Sequence, residues 1–244
     1  MSQYTVLSTK KINPLLKAAV IQQGIVFREE EFISIQPVLS QQTHDEVVSW
    51  ALRPENLYVV FTSGHAVEYT ALHFDHDNTY FVTDQWKIFC MQGTTAQLVK
   101  KYLRAKQIIA TGVSAAELAE AIISNGNVQH VVFFCGNLRR EELPSLLRAK
   151  NITVTEVVVY ETQPTPAVID TNTDAVLFFS PSAVRSFFSV NTVPATTACF
   201  AIGPTTAAEI NRYTNNRIIT SDDPSQETMI KNLLFYLHNI NQHE

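Results

Sequence analysis

The sequence is short of the residues that loosen a chain or staple it. Seven glycines and ten prolines in 244 residues leave little room for long flexible segments. Cys90, Cys135 and Cys199 are an odd number, lie in or beside apolar runs and form no Cys-x-x-Cys pair. This speaks against a disulfide framework and for reduced core thiols in a cytoplasmic protein. No run of about 18 apolar residues is present, so no membrane-spanning helix is expected. Met1-Ser-Gln-Tyr-Thr-Val6 has neither a basic n-region nor a long apolar stretch and does not read as a signal peptide. Charged residues make up only 17%, and the net charge of −5 disfavours a nucleic-acid partner, which would need a basic face. Neither Gly-x-Gly-x-x-Gly nor Gly-x-x-x-x-Gly-Lys-Ser/Thr occurs, so there is no nucleotide-phosphate fingerprint. Gly-x-Ser-x-Gly is also missing, which removes the nucleophile elbow.

What is present is an ordered repeat. Leu57-Tyr-Val-Val-Phe-Thr-Ser-Gly-His-Ala-Val67 returns as Asp174-Ala-Val-Leu-Phe-Phe-Ser-Pro-Ser-Ala-Val184. Ile88-Phe-Cys-Met-Gln-Gly-Thr-Thr-Ala96 returns as Cys199-Phe-Ala-Ile-Gly-Pro-Thr-Thr-Ala207. Gln107-Ile-Ile-Ala-Thr111 with Ser114-Ala-Ala-Glu-Leu118 is matched by Arg217-Ile-Ile-Thr220 with Pro224-Ser-Gln-Glu227. Each unit is a short apolar, β-branched run, a hydroxylated turn, and the start of a helical pattern. It reads as a buried strand, a tight loop and a helix N-terminus. Three such units twice over predict an α/β chain of two similar Rossmann-like (flavodoxin-like) domains with parallel sheets.

Around the repeats, Tyr4–Leu7 reads as a strand, and 13–23 as a helix with Asn13 as cap and Gly24 as stop. Ile25–Phe27 reads as a second strand, and Arg28-Glu-Glu-Glu31 as a solvated connector. Thr43 or His44 is expected to cap a helix reaching Leu52, and Asp75-His-Asp-Asn78 to be a polar loop. Val131–Phe134 and Val154–Tyr160 read as further strands flanking a helix from Glu141 to Lys150. Gln163-Pro-Thr-Pro166 reads as a linker, because its prolines resist helix and central strand. Residues 1–36 are too few to form a sheet with a core, so we expect residues 164–244 to complete the first domain. The second then spans 37–163, with crossings near Pro37 and at 157–164.

Open parallel sheets bind ligands where strands end and helices begin. Helix N-termini carry partial positive charge and unpaired N–H groups, so they hold carboxylates without lysine. Loops 62–65, 93–95, 180–182 and 203–206 are therefore the candidate binding elements, with Arg139 and Lys10 adding charge. For Ser63, Ser180 and Ser182, with no His/Asp pair in place, N-capping outweighs a nucleophilic role. His65, His73 and His76 straddle a helix and a loop, and a metal site there is not expected.

Phe61-Thr-Ser63, Tyr160-Glu-Thr162, Ser180-Pro-Ser182 and Ile202-Gly-Pro-Thr-Thr206, in this order and spacing, resemble the uroporphyrinogen-III synthase family from Val6 to about Leu234. The resemblance implies two domains joined by a two-stranded linker, with a cleft between them. It implies a cofactor-independent cyclising lyase acting on hydroxymethylbilane, a linear tetrapyrrole with eight carboxylates. Its product is uroporphyrinogen III of haem biosynthesis, formed with inversion of ring D and loss of water. It further implies a monomer, and a transient hand-over from hydroxymethylbilane synthase.

Carried onto this sequence, the resemblance makes Tyr160 the catalytic candidate, its phenol donating to the departing hydroxyl. A strand tyrosine packing the domain crossing is the plainer alternative. Substrate contacts would come from Thr9, Lys10, Thr62, Ser63, Gly93, Thr94, Gly136, Arg139, Thr162, Ser180, Pro181, Ser182, Gly203, Thr205 and Thr206. The family's Thr-Arg-Pro after the first strand is here Thr9-Lys10-Lys11, which keeps charge but loses arginine's bidentate fork. Two other readings compete. One is an inactive ligand-binding or sensor module of the same fold. The other is a nucleotide-sugar transferase, against which the missing diphosphate signature counts.

Overall fold

The computed structural model describes residues 4–51, 57–75, 86–103, 108–170 and 172–240. The part of the expected polar loop at 76–78, His76 included, lies outside the described residues, as does Leu52. The chain divides into two compact units, Met1–Ser34 with Gln163–Glu244, and Ile35–Thr162.

The first unit begins with β1 (Thr5–Ser8), α1 (Pro14–Gln22) and β2 (Val26–Glu29). Asn13 accepts the amide of Leu15 at 2.9 Å and Pro14 opens the helix, so α1 starts where its cap dictates. Then β3 (Ile33–Pro37) carries the chain across the division.

The second unit continues with α2 (Gln41–Ala51), β4 (Leu57–Phe61), α3 (Gly64–Asp75), β5 (Trp86–Met91) and α4 (Thr94–Tyr102). After these come β6 (Ile108–Gly112), α5 (Ala115–Ser124), β7 (His130–Gly136), α6 (Glu142–Arg148) and β8 (Thr153–Pro164). The chain returns to the first unit through β9 (Ala175–Phe178), α7 (Pro181–Phe188), β10 (Ala198–Ala201), α8 (Pro204–Ile210), β11 (Ile218–Thr220) and α9 (Gln226–Ile240).

The first unit's sheet has the order β2-β1-β9-β10-β11, all parallel. Counted within the unit this is 2-1-3-4-5, the flavodoxin-like winding. The second sheet runs β3-β8-β7-β4-β5-β6 and is mixed, with β4 to β8 parallel and β3 at the edge beside β8. The repeated strands β4-β5-β6 and β9-β10-β11 are neighbours in the same sense in both sheets. Their flanking pairs differ: β1 and β2 precede the repeat in one unit, whereas β7 and β8 follow it in the other. The two units are thus similar up to a circular permutation, which makes Ser8–Lys10 the counterpart of the loop after β7.

Each sheet is buried on both faces, as parallel sheets require. In the second unit Val59, Phe61, Ile88 and Phe134 face one apolar cluster, while Val60, Phe89, Val131 and Phe133 face the other. In the first, Val6, Leu177 and Phe200 oppose Leu7, Val176, Phe178 and Cys199 across the sheet. The three cysteines are free and buried.

Three local expectations need correction. Arg28-Glu29 is not solvated connector but the end of β2, where Glu29 accepts the Ile12 amide at 2.9 Å and Lys17 Nζ at 2.6 Å. Burial opposes its ionisation, yet those hydrogen bonds prevail and hold its carboxyl below the usual range. The cap of α2 is Ser40 rather than Thr43 or His44: its Oγ accepts the Thr43 amide at 3.1 Å, and His44 is buried. Finally, β8 runs on to Pro164, because a proline at a strand's last residue costs no needed amide.

Candidate active site

At the carboxyl ends of the second unit's strands lies a cavity of about 500 Å³, in the size range of ligand sites. It is lined by Thr62 and Ser63 after β4, Met91 of β5, Val113 and Ser114 after β6, Gly136 at the end of β7 with Leu138, Arg139 and Arg140 after it, and Tyr160 of β8. The ladder of β7 and β8 pairs Cys135 with Val158 and then Gly136 with Tyr160, so a register shift passes over Val159. It brings Tyr160 directly across from a residue without a side chain. A Cβ on Gly136 would lie 2.4 Å from Tyr160 Cζ, so the ring rests against glycine backbone.

The Tyr160 hydroxyl is 3.1 Å from Ser63 Oγ, and either can donate. The ring packs edge-on to His65 at 5.8 Å and tilted to Tyr69 at 5.9 Å. Burial raises the Tyr160 phenol above its ordinary pKa, against the Ser63 hydrogen bond, with Cys135 adding to the rise. Cys135 lines the same cavity, but burial pushes its thiol up to about 12, so it stays protonated. Among the described residues no group of three His, Cys, Asp or Glu side chains is placed to hold a metal. Nor does any described helix have the length and apolarity to cross a membrane.

Arg139 is engaged within the protein. Its guanidinium binds both Glu156 and Glu141, and Arg148 closes the quartet with Glu156 at 2.6 Å and Glu141 at 2.7 Å. This answers the expectation of a local cation for substrate: the charge at Arg139 is already balanced by carboxylates. Sequence reading missed Arg140, Leu138 and Val113 on the cavity wall, although the Arg139-Arg140 pair directly after an apolar strand was a visible signal. Gly93, with φ of 78°, caps α4 and accepts the Gln97 amide at 3.1 Å, while Thr94 is exposed beside it. Neither reaches the cavity wall. Thr162, on β8 beyond Tyr160, also lies off it, and its amide donates to Asn137 Oδ1 at 2.9 Å.

In the first unit the expected residues separate into inward and outward sets. Thr9 is buried and its hydroxyl donates to the Leu177 carbonyl at 2.9 Å; Thr206 is also buried. Neither side chain is presented for binding, contrary to expectation. Lys10, Gly203 and Thr205 are at least partly exposed at the ends of β1 and β10. Ser180 caps α7, its Oγ accepting the Ala183 amide at 3.1 Å. Pro181 brings no N–H, so of that first turn the amide of Ser182 is the one turned to solvent or ligand. Ser180→Ala is expected to lower unfolding free energy by about 1 kcal/mol, read in a urea titration. An unchanged midpoint would remove the cap from the account.

The fold matches solved structures end to end. A methionine-substituted uroporphyrinogen III synthase of Thermus thermophilus superposes with a TM-score of 0.70 at 15% identity, covering 99% of this chain and 100% of that one. The Helicobacter pylori uroporphyrinogen-III synthetase gives 0.69 at 13% identity, covering 96% and 100%. The wild-type Thermus protein gives 0.53 at 14%, covering 97% and 98%. At such identities these likenesses speak to the fold. The family model described as uroporphyrinogen-III synthase HemD matches residues 16–231, across both passages of the first unit and all of the second. The chain therefore belongs to the uroporphyrinogen-III synthase family.

Proposed function

We propose that in this family member Tyr160 assists the departure of the hydroxyl from hydroxymethylbilane, at the cavity of the second unit. The reaction is the family's cofactor-independent cyclisation to uroporphyrinogen III. One observation carries the assignment of the residue: a buried-edge phenol, pinned at both its ring and its hydroxyl, opens onto the cavity at the strand ends.

The chemistry asks for little beyond positioning and one proton. The terminal C–O bond breaks as the pyrrole nitrogen's electrons move in, and the hydroxyl takes a proton from Tyr160 to leave as water. The substituted carbon of ring D attacks the resulting azafulvene, and the spiro-pyrrolenine fragments and recloses inverted. The proton lost in restoring the aromatic pyrroles balances the one given by Tyr160. A phenol whose pKa is raised remains protonated at neutral pH and is a donor by default. Thr62, Ser63 and Gly136 sit where they would orient the reacting end. Amides at the first unit's helix starts, Ser182 above all, would take carboxylates. The chain is read as a monomer that receives its labile substrate directly from hydroxymethylbilane synthase.

The test is an isomer assay with freshly generated hydroxymethylbilane, the products being oxidised and separated by chromatography. Predominant type III isomer is expected, because the uncatalysed closure gives the non-inverted type I. Type I alone, at the rate seen without protein, would overturn the assignment and favour a binding module.

A further inference from the structure

The chain holds a polar clamp behind Tyr160 that no cavity residue supplies. Strand β7 ends at Gly136, whereas β8 continues to Pro164. Past the end of β7, β8 keeps β3 on its other edge, but on the edge that β7 covered its backbone groups beyond Tyr160 would be left without a strand partner. Asn137 takes the place of that strand. Its backbone N–H donates to the Tyr160 carbonyl at 3.2 Å. Its side-chain Oδ1 accepts the Thr162 amide at 2.9 Å, and its Nδ2 donates to the Thr162 carbonyl at 3.4 Å.

We infer that Asn137 is a positioning residue for the ring-inverting reaction, holding the Tyr160 hydroxyl over the cavity through the backbone of β8. The side-chain amide imitates a backbone peptide and pairs with Thr162 in both directions, which asparagine can do and aspartate or alanine cannot. Both of its contacts fall on the last residue of the second unit, Thr162, so the clamp also fixes the point from which β8 leaves. Without it, β8 beyond the register shift at Gly136 is held from the β3 edge alone, and the phenol oxygen moves away from Ser63. Asn137 itself is exposed and outside the cavity lining, so it touches no reacting atom. The inference rests on the reading of Tyr160 given above.

The test compares Asn137→Ala and Asn137→Asp with the parent enzyme. The readouts are steady-state type III formation and ¹³C-tyrosine NMR, with the Tyr160 Cζ resonance assigned by its loss in Tyr160→Phe. Asn137→Ala is expected to lower kcat on the order of 10-fold, since small misplacement of a reacting group is costly. KM should stay within about 2-fold, because no substrate contact is removed. The Tyr160 resonance should shift and titrate closer to an ordinary phenol. Asn137→Asp keeps the 2.9 Å acceptor but turns a carboxylate oxygen toward the Thr162 carbonyl, so its kcat and resonance should fall between those of the parent and Asn137→Ala. A parent-like Tyr160 resonance in Asn137→Ala would overturn the positioning role. A displaced resonance with unchanged kcat would uphold the clamp and overturn instead the part given to Tyr160; Tyr160→Phe would then be silent as well.

Discussion

Gly136→Ala is expected to lower kcat for type III formation about 100-fold while leaving a folded protein. A methyl group there would sit 2.4 Å from Tyr160 Cζ, 2.5 Å from Cε2 and 2.8 Å from the phenol oxygen. Carbon atoms in contact want roughly 3.5–4.0 Å, so the ring must give way by about 1 Å or more. An aromatic ring cannot bend, and Gly136 cannot retreat, because it is the last rung of β7 against β8. The ring instead swings toward the adjoining cavity, which costs little stability but breaks the 3.1 Å contact with Ser63. The signature is a fall in kcat with a thermal midpoint close to the parent's. A folded Gly136→Ala variant with parent kcat would show that the place of the Tyr160 ring is immaterial.

How much of this was readable beforehand varies with the physics of each element. The strands of the repeat announced themselves because a strand buried on both faces must be an unbroken apolar run, as in Ala175–Phe178. The loops after them were legible for a related reason: helix starts call for Ser, Thr, Gly and Pro, and Ser180 with Pro181 does both jobs. The permutation was not legible, because β1 and β2 share no residue pattern with β7 and β8. Pairing order is set by contacts between strands more than 100 residues apart, such as Val6 with Ala175.

Glu29 was misread for the same reason. Three acidic residues in a row look solvated until Lys17 and the Ile12 amide are seen to meet the first of them. Hydroxyl residues posed the opposite problem. Thr9 and Thr206 stand in the expected loops, but whether a threonine points to ligand or to the Leu177 carbonyl depends on backbone direction, not residue type. Arg139 shows a mixed case. The nearby Glu141 could be seen in sequence, whereas Glu156, across the sheet on β8, could not.

Tyr160→Phe is expected to reduce kcat by about 10- to 100-fold, at or below the lower end of what a general acid contributes. The lower end applies because the substrate cyclises unaided, so its leaving group needs help rather than rescue. KM should change by no more than about 2-fold, since the ring, which fills the place against Gly136, His65 and Tyr69, is retained. The pH profile separates a proton donor from a packing residue. Burial raises the phenol's pKa and the Ser63 hydrogen bond only partly offsets it. The donor form is therefore present at all pH values below that raised pKa and is lost as pH climbs through it. In the parent enzyme kcat should hold through neutral pH and fall only above an ordinary phenol's value of about 10. In Tyr160→Phe that alkaline fall should disappear, leaving a lower, flatter profile. Ser63→Ala removes the one hydrogen bond that favours the phenolate, so its alkaline limb should move to still higher pH, with the donor intact. Identical profiles for parent and Tyr160→Phe would reduce Tyr160 to a packing role at the end of β8.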